Sequence, residues 1–393
     1  MKELRPHISA RLARDVYELT KQPILEDAIK ELRRLYGDVF DFADENLLKG
    51  KTGALGPLKC RTAFGFVLIG KGVLRGNAFI LFRGTHYAAD WLTDGNATLS
   101  STTTGQKVHD GFNQSFKSME PQLMRFMDRV AMHQIKAIHC VGHSLGGALA
   151  TLCGEWITNV YKRSAYVYSF GSPRVGLETF ASVCTSSVGA SHIFRAYHKT
   201  DIVPFLPTWP YCHVPFSGRD YLLWSPGLIP MGEFHRMKNY VASVSQYTSW
   251  ESLVNQHDIA KTDHEIKQWL QQRDSPAGLT FVAMKWLENA IQFVVKLISG
   301  AKWVISTAFS TAFTVLDQLA YLLSTGAKIL EETSIWVLYL IRKIIRIVGG
   351  IERIEKEDLT IENIRHLFQR LMQRMNFYAK DALSHMLVDG RAI

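Results

Sequence analysis

Gly142, Ser144 and Gly146 alternate with other residues in the run Gly142-His143-Ser144-Leu145-Gly146. An apolar stretch, Ala137-Ile138-His139-Cys140-Val141, precedes the run, and small helix-compatible residues, Gly147-Ala148-Leu149-Ala150-Thr151-Leu152, follow it. The pattern predicts a strand, a sharp turn with a serine at its apex, and a helix, which is the layout of a nucleophile elbow. Glycines on either side remove side chains that so tight a turn cannot hold, and they tolerate its backbone. The serine oxygen is then pushed out to where a substrate and a base can reach it. A bare G-x-S-x-G match arises by chance in about one chain of this length in ten at average Gly and Ser usage. The strand and helix patterns around the motif therefore carry the argument.

Four other strings accompany it in order. A strand ending at Phe82 runs into Arg83-Gly84-Thr85; then come Val108-His109-Asp110-Gly111-Phe112, Phe170-Gly171-Ser172-Pro173-Arg174-Val175-Gly176, and Thr200-Asp201-Ile202-Val203-Pro204-Phe205-Leu206-Pro207. Together with residues 142–147, this ordered set resembles the fungal-type, class-3 lipases of the α/β-hydrolase fold, over roughly residues 60 to 245. The resemblance does not extend to residues 279–393.

The chemistry of such a site is independent of the resemblance. Serine hydrolysis of an ester needs a nucleophile, a base to take its proton and a carboxylate to hold the base. Ser144 is the nucleophile candidate. Asp201 follows a strand and precedes two prolines, so it can project from the carboxyl edge of a sheet, and the resemblance implies the acid at this position. The fold's chain order is nucleophile, acid, histidine, so the base lies beyond Asp201. His213, His235, His257, His264, His366 and the distant His385 all qualify. The resemblance implies His235, in Phe234-His235-Arg236-Met237-Lys238-Asn239-Tyr240-Val241, as the base; it makes His213 structural, and His257 and His264 stay open as alternatives. The tetrahedral oxyanion needs donors already in place. One is the N–H of Leu145, after the nucleophile; the resemblance implies the Thr85 N–H and hydroxyl as the other. The resemblance also implies a lid over His86–Asp94, with Tyr87, Trp91 and Leu92 facing the pocket when closed and lipid when open. Ser172, Pro173 and Arg174 resemble scaffold positions. No cluster has metal-ligand spacing, so neither metal nor cofactor is expected.

These residues need elements to hold them. Residues 8 to 36 carry a helical period, and residues 64–71, 77–82, 137–141, 165–170 and 192–198 read as strands, with a helix from about Asn113 to Val130. Strands alternating with helices predict an α/β fold with a mostly parallel sheet covered on both faces. A composition shift near Asp274-Ser275-Pro276-Ala277-Gly278 divides the 393 residues into a hydrolase domain, 1–274, and an apolar, amphipathic helical region, 279–393. That division implies that a chain ended near Asp274 keeps hydrolysis of a soluble ester and loses lipid binding.

Within the second region, Trp303 to Ala327 holds a single charge, Asp317. As a helix it would measure about 37 Å, enough to span a bilayer core, although a central aspartate is costly there. A helical hairpin that packs in solution and opens onto a membrane is the expectation, with Arg342, Lys343 and Arg346 meeting lipid head groups. Net charge is +9. With no zinc-finger or RNP-like signature, the excess points to anionic lipid rather than nucleic acid. Five cysteines, an odd number without CxxC spacing, speak against a disulfide framework and point to synthesis in a reducing compartment. The amino terminus has no apolar Sec-type signal region. Cytoplasmic synthesis, with export by a specialised route as a toxin-like effector or with membrane association, is the expectation.

The reading is a serine carboxylic-ester hydrolase acting on lipids, a phospholipase A1 or lipase at a membrane surface. The alternatives are a membrane-inserting or partner-binding protein working through residues 279–393, and a soluble esterase for non-lipid esters.

Overall fold

The computed structural model describes residues 3–21, 25–42, 44–51, 61–85, 98–253, 262–272, 278–299, 315–329, 331–350 and 354–388. The strands are β1 (Leu47–Lys51), β2 (Arg61–Ile69), β3 (Asn77–Phe82), β4 (Leu99–Ser101), β5 (Lys107–His109), β6 (Ala137–His143), β7 (Ala165–Phe170), β8 (Gly176–Leu177), β9 (Ile193–His198), β10 (Tyr211–Cys212) and β11 (Tyr221–Leu223). Among the described residues a seven-stranded sheet has the order β1-β2-β3-β6-β7-β9-β11, and a small four-stranded sheet the order β10-β8-β5-β4. From β3 to β11 the large sheet is parallel; β1 and β2 add antiparallel pairs at one edge. This is the mostly parallel α/β sheet that the alternation of strands and helices predicts.

Register brings the carboxyl ends of the central strands side by side. Phe82 of β3 lies opposite Gly142 of β6, His143 opposite Phe170 of β7, and Phe170 opposite Ala196 of β9. The loops that leave this edge carry Thr85, Ser144, Ser172 and Asp201. The period-two alternation of strands sends neighbouring side chains to opposite faces. Ile80, Phe82, Cys140 and Val167 enter one apolar layer, and Phe79, Leu81, Val141 and Tyr168 the other.

The first layer is covered by α3 (Asp110–Met132), α4 (Leu145–Tyr161) and α5 (Glu178–Val188), the second by α1 (Pro6–Asp15), α2 (Leu25–Tyr36) and α6 (Met237–Val244). The amino-terminal helical period is thus divided among α1, a single turn over Glu18–Lys21 and α2. His139 sits at the centre of β6, fully buried, stacked between Phe79 and Tyr166 and bonded to Asn77 Oδ1 at 3.1 Å. Cys140, Cys153, Cys184 and Cys212 are buried free thiols.

Beyond α7 (Asp263–Gln271), the carboxyl-terminal region forms α8 (Phe281–Ser299), α9 (Val315–Ile329), α10 (Glu331–Ile347) and α11 (Ile361–Val388). These helices do not stand apart. Leu287, Ile291, Leu340, Phe368 and Leu371 belong to the same apolar cluster as Phe205, Trp209 and Val167 of the sheet side. Arg174, in the loop after β7, donates to Glu288 of α8 at 2.5 Å with its side chain 3% exposed. No helix among the described residues is long and apolar enough to cross a membrane. Asp317, the residue that speaks against a span, pairs with Arg365 of α11 at 3.2 Å.

Two of the expected head-group cations are engaged inside the protein instead. Lys343 is buried, stacked on Trp269 at 4.9 Å and donating to the Gln272 carbonyl at 2.5 Å, and Arg342 donates to the Ile354 carbonyl at 3.1 Å. Long cationic side chains on an apolar helix cover neighbouring rings as readily as they reach lipid.

Two outcomes are expected of the fold. A core shared by hydrolase and tail unfolds as one, so tryptophan fluorescence and far-UV circular dichroism share a single denaturant midpoint. Ile291→Ala, in α8, moves both together by about 2–5 kcal/mol; separate midpoints contradict the shared core. Burial pushes His139 down to about 3 from its ordinary 6.5. Below pH 6.5 the unfolded chain takes up a proton that the folded chain refuses. Stability is therefore complete above pH 6.5 and is lost toward pH 3, by about 1.4 kcal/mol per pH unit for this one group. His139→Phe flattens that slope in acid denaturation profiles.

Candidate active site

The elbow is built by close approach. Ser144 has φ 55° and ψ −128°, a conformation that side-chain-bearing residues rarely adopt and that marks stored backbone strain. A Cβ on Gly142 would collide with the Gly146 carbonyl, and one on Gly146 with the Phe82 carbonyl at the end of β3. Both glycines are required so that helix α4 can start directly behind the serine. The Ser144 N–H donates to the Phe170 carbonyl at 2.9 Å, and its own carbonyl accepts from Gly147 at 2.9 Å, so the turn is tied to β7 as well as to α4.

Three of the residues expected from the sequence meet here. Ser144 Oγ lies 2.9 Å from His235 Nε2, and His235 Nδ1 lies 2.7 Å from Asp201 Oδ2. The carboxylate only accepts, so Nδ1 carries the proton and Nε2 is free to accept from the serine hydroxyl. Asp201 Oδ1 accepts from the Val203 N–H at 3.0 Å, and Oδ2 also accepts from Tyr240 Oη at 2.6 Å. Burial and the Asp201 charge hold the Tyr240 phenol well above its ordinary range, which keeps it a donor. Gly171, at φ +54°, lets this group close up: a Cβ there would stand 2.9 Å from both Asp201 Oδ2 and Tyr240 Oη. Ser144 and His235 are 0% exposed. The serine oxygen is thus covered in this state, where the sequence reading had it reachable.

The turn bearing His235 (Gly232–His235) is pinned through its carbonyls by two histidines that sequence reasoning missed. His143 Nε2 donates to the His235 carbonyl at 2.8 Å, and its Nδ1 accepts from Tyr17 Oη at 2.9 Å. Tyr17 Oη in turn accepts from the Gly84 N–H at 3.0 Å. His198 Nδ1 donates to the Phe234 carbonyl at 2.9 Å, and its Nε2 accepts from Ser243 Oγ at 2.9 Å. Burial and the neighbouring His235 hold His143 well below the usual histidine range, and burial pushes His198 down to about 4. Both stay neutral, with one nitrogen donating and the other accepting. Tyr17 lies 126 residues from His143, and no local pattern joins them. His143 and Tyr240 stand within the quoted motifs and were readable there as polar residues next to the nucleophile and base.

The other positions fall as follows. Leu145 opens α4, and N–H groups in the first turn of a helix have no acceptor within it. Thr85 is buried, three residues beyond β3 and next to Gly84. His213 is half-buried and accepts from Arg174 at 3.1 Å. His264 is exposed on α7, bonded to Gln268, and His366 is exposed on α11. His257 and the lid residues Tyr87, Trp91 and Leu92 lie outside the described residues. Among the described residues no group of His, Cys, Asp or Glu could hold a metal ion.

Residues 79–211 match the family "Lipase (class 3)". A lipase of Rhizomucor miehei is 31% identical over 150 residues, which are 36% of this chain and 40% of that protein. "Toxin TseL" of Vibrio cholerae is 34% identical over 106 residues, 26% of this chain and 15% of that one. The match thus spans less than half the length of either relative. Among solved structures, the lipase from Rhizopus microsporus var. chinensis aligns at 24% identity with a TM-score of 0.40, covering 56% of this chain and 75% of that one. The elbow, the acid loop and the strand end leading to Thr85 all fall within residues 79–211, the segment, less than half of the chain, that is similar to the class-3 lipases.

Proposed function

We propose that the protein is a serine carboxylic-ester hydrolase acting on lipid esters through Ser144, His235 and Asp201. The observation that carries this reading is the unbroken relay from Ser144 Oγ to His235 at 2.9 Å and from His235 to Asp201 at 2.7 Å. Ser144 Oγ attacks the ester carbonyl carbon while its proton passes to His235 Nε2. Asp201 holds the imidazolium so formed. The carbonyl oxygen becomes an oxyanion and takes hydrogen bonds from the Leu145 N–H and from Thr85. Collapse of the intermediate breaks the ester C–O bond, and His235 returns its proton to the departing alcohol. Water then attacks the acyl-enzyme by the same steps in reverse, releasing the fatty acid and restoring Ser144.

Within this reading we take phospholipid in a membrane surface as the substrate, cleaved as by a phospholipase A1. The support is the net charge of +9, which draws the protein to anionic lipid, and the apolar helices α8–α11 beside the acid loop. The match to a toxin over 106 residues is in keeping with a toxin-like role for the chain. Were residues 279–393 instead the working part, as a membrane-inserting or partner-binding region, the relay would be dispensable for any effect of the protein on membranes.

Ser144→Ala is expected to abolish ester hydrolysis and fluorophosphonate labelling; labelling that persists in this variant removes Ser144 from the mechanism. His235→Ala is expected to be nearly as damaging, because the two groups act as a unit and their losses do not add. Asp201→Asn lowers turnover by about four orders of magnitude through the wrong imidazole tautomer. Phospholipids, glycerides and short aryl esters, assayed side by side with products resolved by position, test the substrate. The expected result is release of the sn-1 acyl chain from phospholipid, faster on anionic than on neutral vesicles. A preference for glycerides on neutral surfaces overturns the phospholipase assignment and keeps the hydrolase.

A further inference from the structure

The carboxyl-terminal helix α11 touches two of the three loops that make the relay. At the histidine turn, a Cβ on Gly232 would collide with the Asp381 carboxylate and lie 2.8 Å from the Ala382 nitrogen and 2.9 Å from its Cα. Gly232 is not in the left-handed region, so the glycine is needed there for the approach of α11 and not for its backbone angle. Ala379 and Ala382 are fully buried on the same helix, small residues that let two backbones close up. At the acid loop, Thr208 Oγ1 donates to Met372 Sδ at 3.5 Å. Phe205 and Trp209 of that loop line a cavity of about 30 Å³ with Phe368, Leu371 and Met375 of α11. The two loops are themselves joined where the Met231 N–H donates to the Thr200 carbonyl at 2.8 Å.

We propose that α11 is a positioning element of the catalytic relay: it braces the Asp201 and His235 loops together from outside the lipase segment and holds the imidazole in line with Ser144. The inference rests on the hydrolase reading above. Ser144 owes its place to the elbow, whereas Asp201 and His235 sit on irregular chain, tied to β6, β9 and α6 on the sheet side by hydrogen bonds from His143, His198 and Tyr240 and met on the other side by α11. A small misplacement of a reacting group is enough to cost a large factor in rate. On this account a chain ended near Asp274 loses the brace and with it efficient hydrolysis of even a soluble ester, contrary to the division of labour expected from composition.

The test uses the full-length chain and variants that alter the contact from either side: Ala382→Leu on the helix and Gly232→Ala on the turn, with Gln373→Ala on the exposed face of α11 as control. Three readouts are taken: kcat and KM on a short-chain aryl ester, the fluorophosphonate labelling rate at Ser144, and the far-downfield proton resonance of the His235–Asp201 bond. Both contact variants are expected to fold, to lower kcat and labelling at least about tenfold with KM within about twofold, and to shift or broaden the downfield proton. The control keeps wild-type values. Should Ala382→Leu fail to fold, Gly232→Ala, a change of one methyl group, carries the comparison. Folded contact variants with wild-type kcat and an unmoved proton overturn the inference, as does a control that loses as much as they do. A rise in KM with kcat intact also overturns it, because that places the effect on substrate binding. A wild-type chain that fluorophosphonate does not label at Ser144 sinks the hydrolase reading itself, a result distinct from all of these.

Discussion

One steric constraint organises the site: a helix must begin immediately behind a serine whose backbone sits at φ 55°. Only residues without side chains allow it, since a Cβ at Gly142 or Gly146 would run into the next turn or into the end of β3. The remaining features follow from that closeness. β3 must end at Phe82 so that Phe82 and Arg83 lie against Gly146 in the first turn of α4, and β7 must offer the Phe170 carbonyl to the serine N–H. Strained backbone persists only where its surroundings over-determine it. Here the surroundings are a buried parallel sheet on one side and a helix buried through most of its length on the other.

The histidine is held in a different way. Its ring lies between Ser144 and Asp201, while its turn hangs from the carbonyls of Phe234 and His235, which accept from His198 and His143. Neutral imidazoles suit this task, since each supplies one donor and one acceptor without adding charge beside a base that must itself become charged. Tyr17 extends the chain to the Gly84 amide, so the segment leading to Thr85 and the turn bearing His235 share one hydrogen-bonded path. Buried networks of this kind are stiff when every member is satisfied.

How much of this was legible in the sequence follows from how local each feature is. The elbow could be read because strand, glycines, serine and helix are contiguous. Asp201 could be read because it follows β9 directly and precedes a proline-stiffened loop. His235 was one of several histidines downstream, and only a likeness to known motifs singled it out, because its turn has neither helical nor strand periodicity. Tyr17 and His198 could not be found at all, since their partners lie far along the chain. The tail was legible as apolar helices, but what covers them was not. Apolar periodicity says that a face is buried without saying against what, and the same ambiguity assigned Lys343 to lipid when its ammonium lies on Trp269.

The buried thiols bear on how the molecule survives changes of surroundings. Cys140, Cys153, Cys184 and Cys212 all lie in the core. Burial holds the Cys153 and Cys184 thiols well above the ordinary range and pushes Cys212 up to about 12. The thiolate is the form that oxidises and exchanges, and at Cys153, Cys184 and Cys212 it is both scarce and out of reach. These sulfurs can therefore pass between reducing and oxidising media without pairing, provided the fold stays closed. An alkylating reagent meets them only during an opening of the core, so its slow consumption of these groups measures how often the folded chain comes apart.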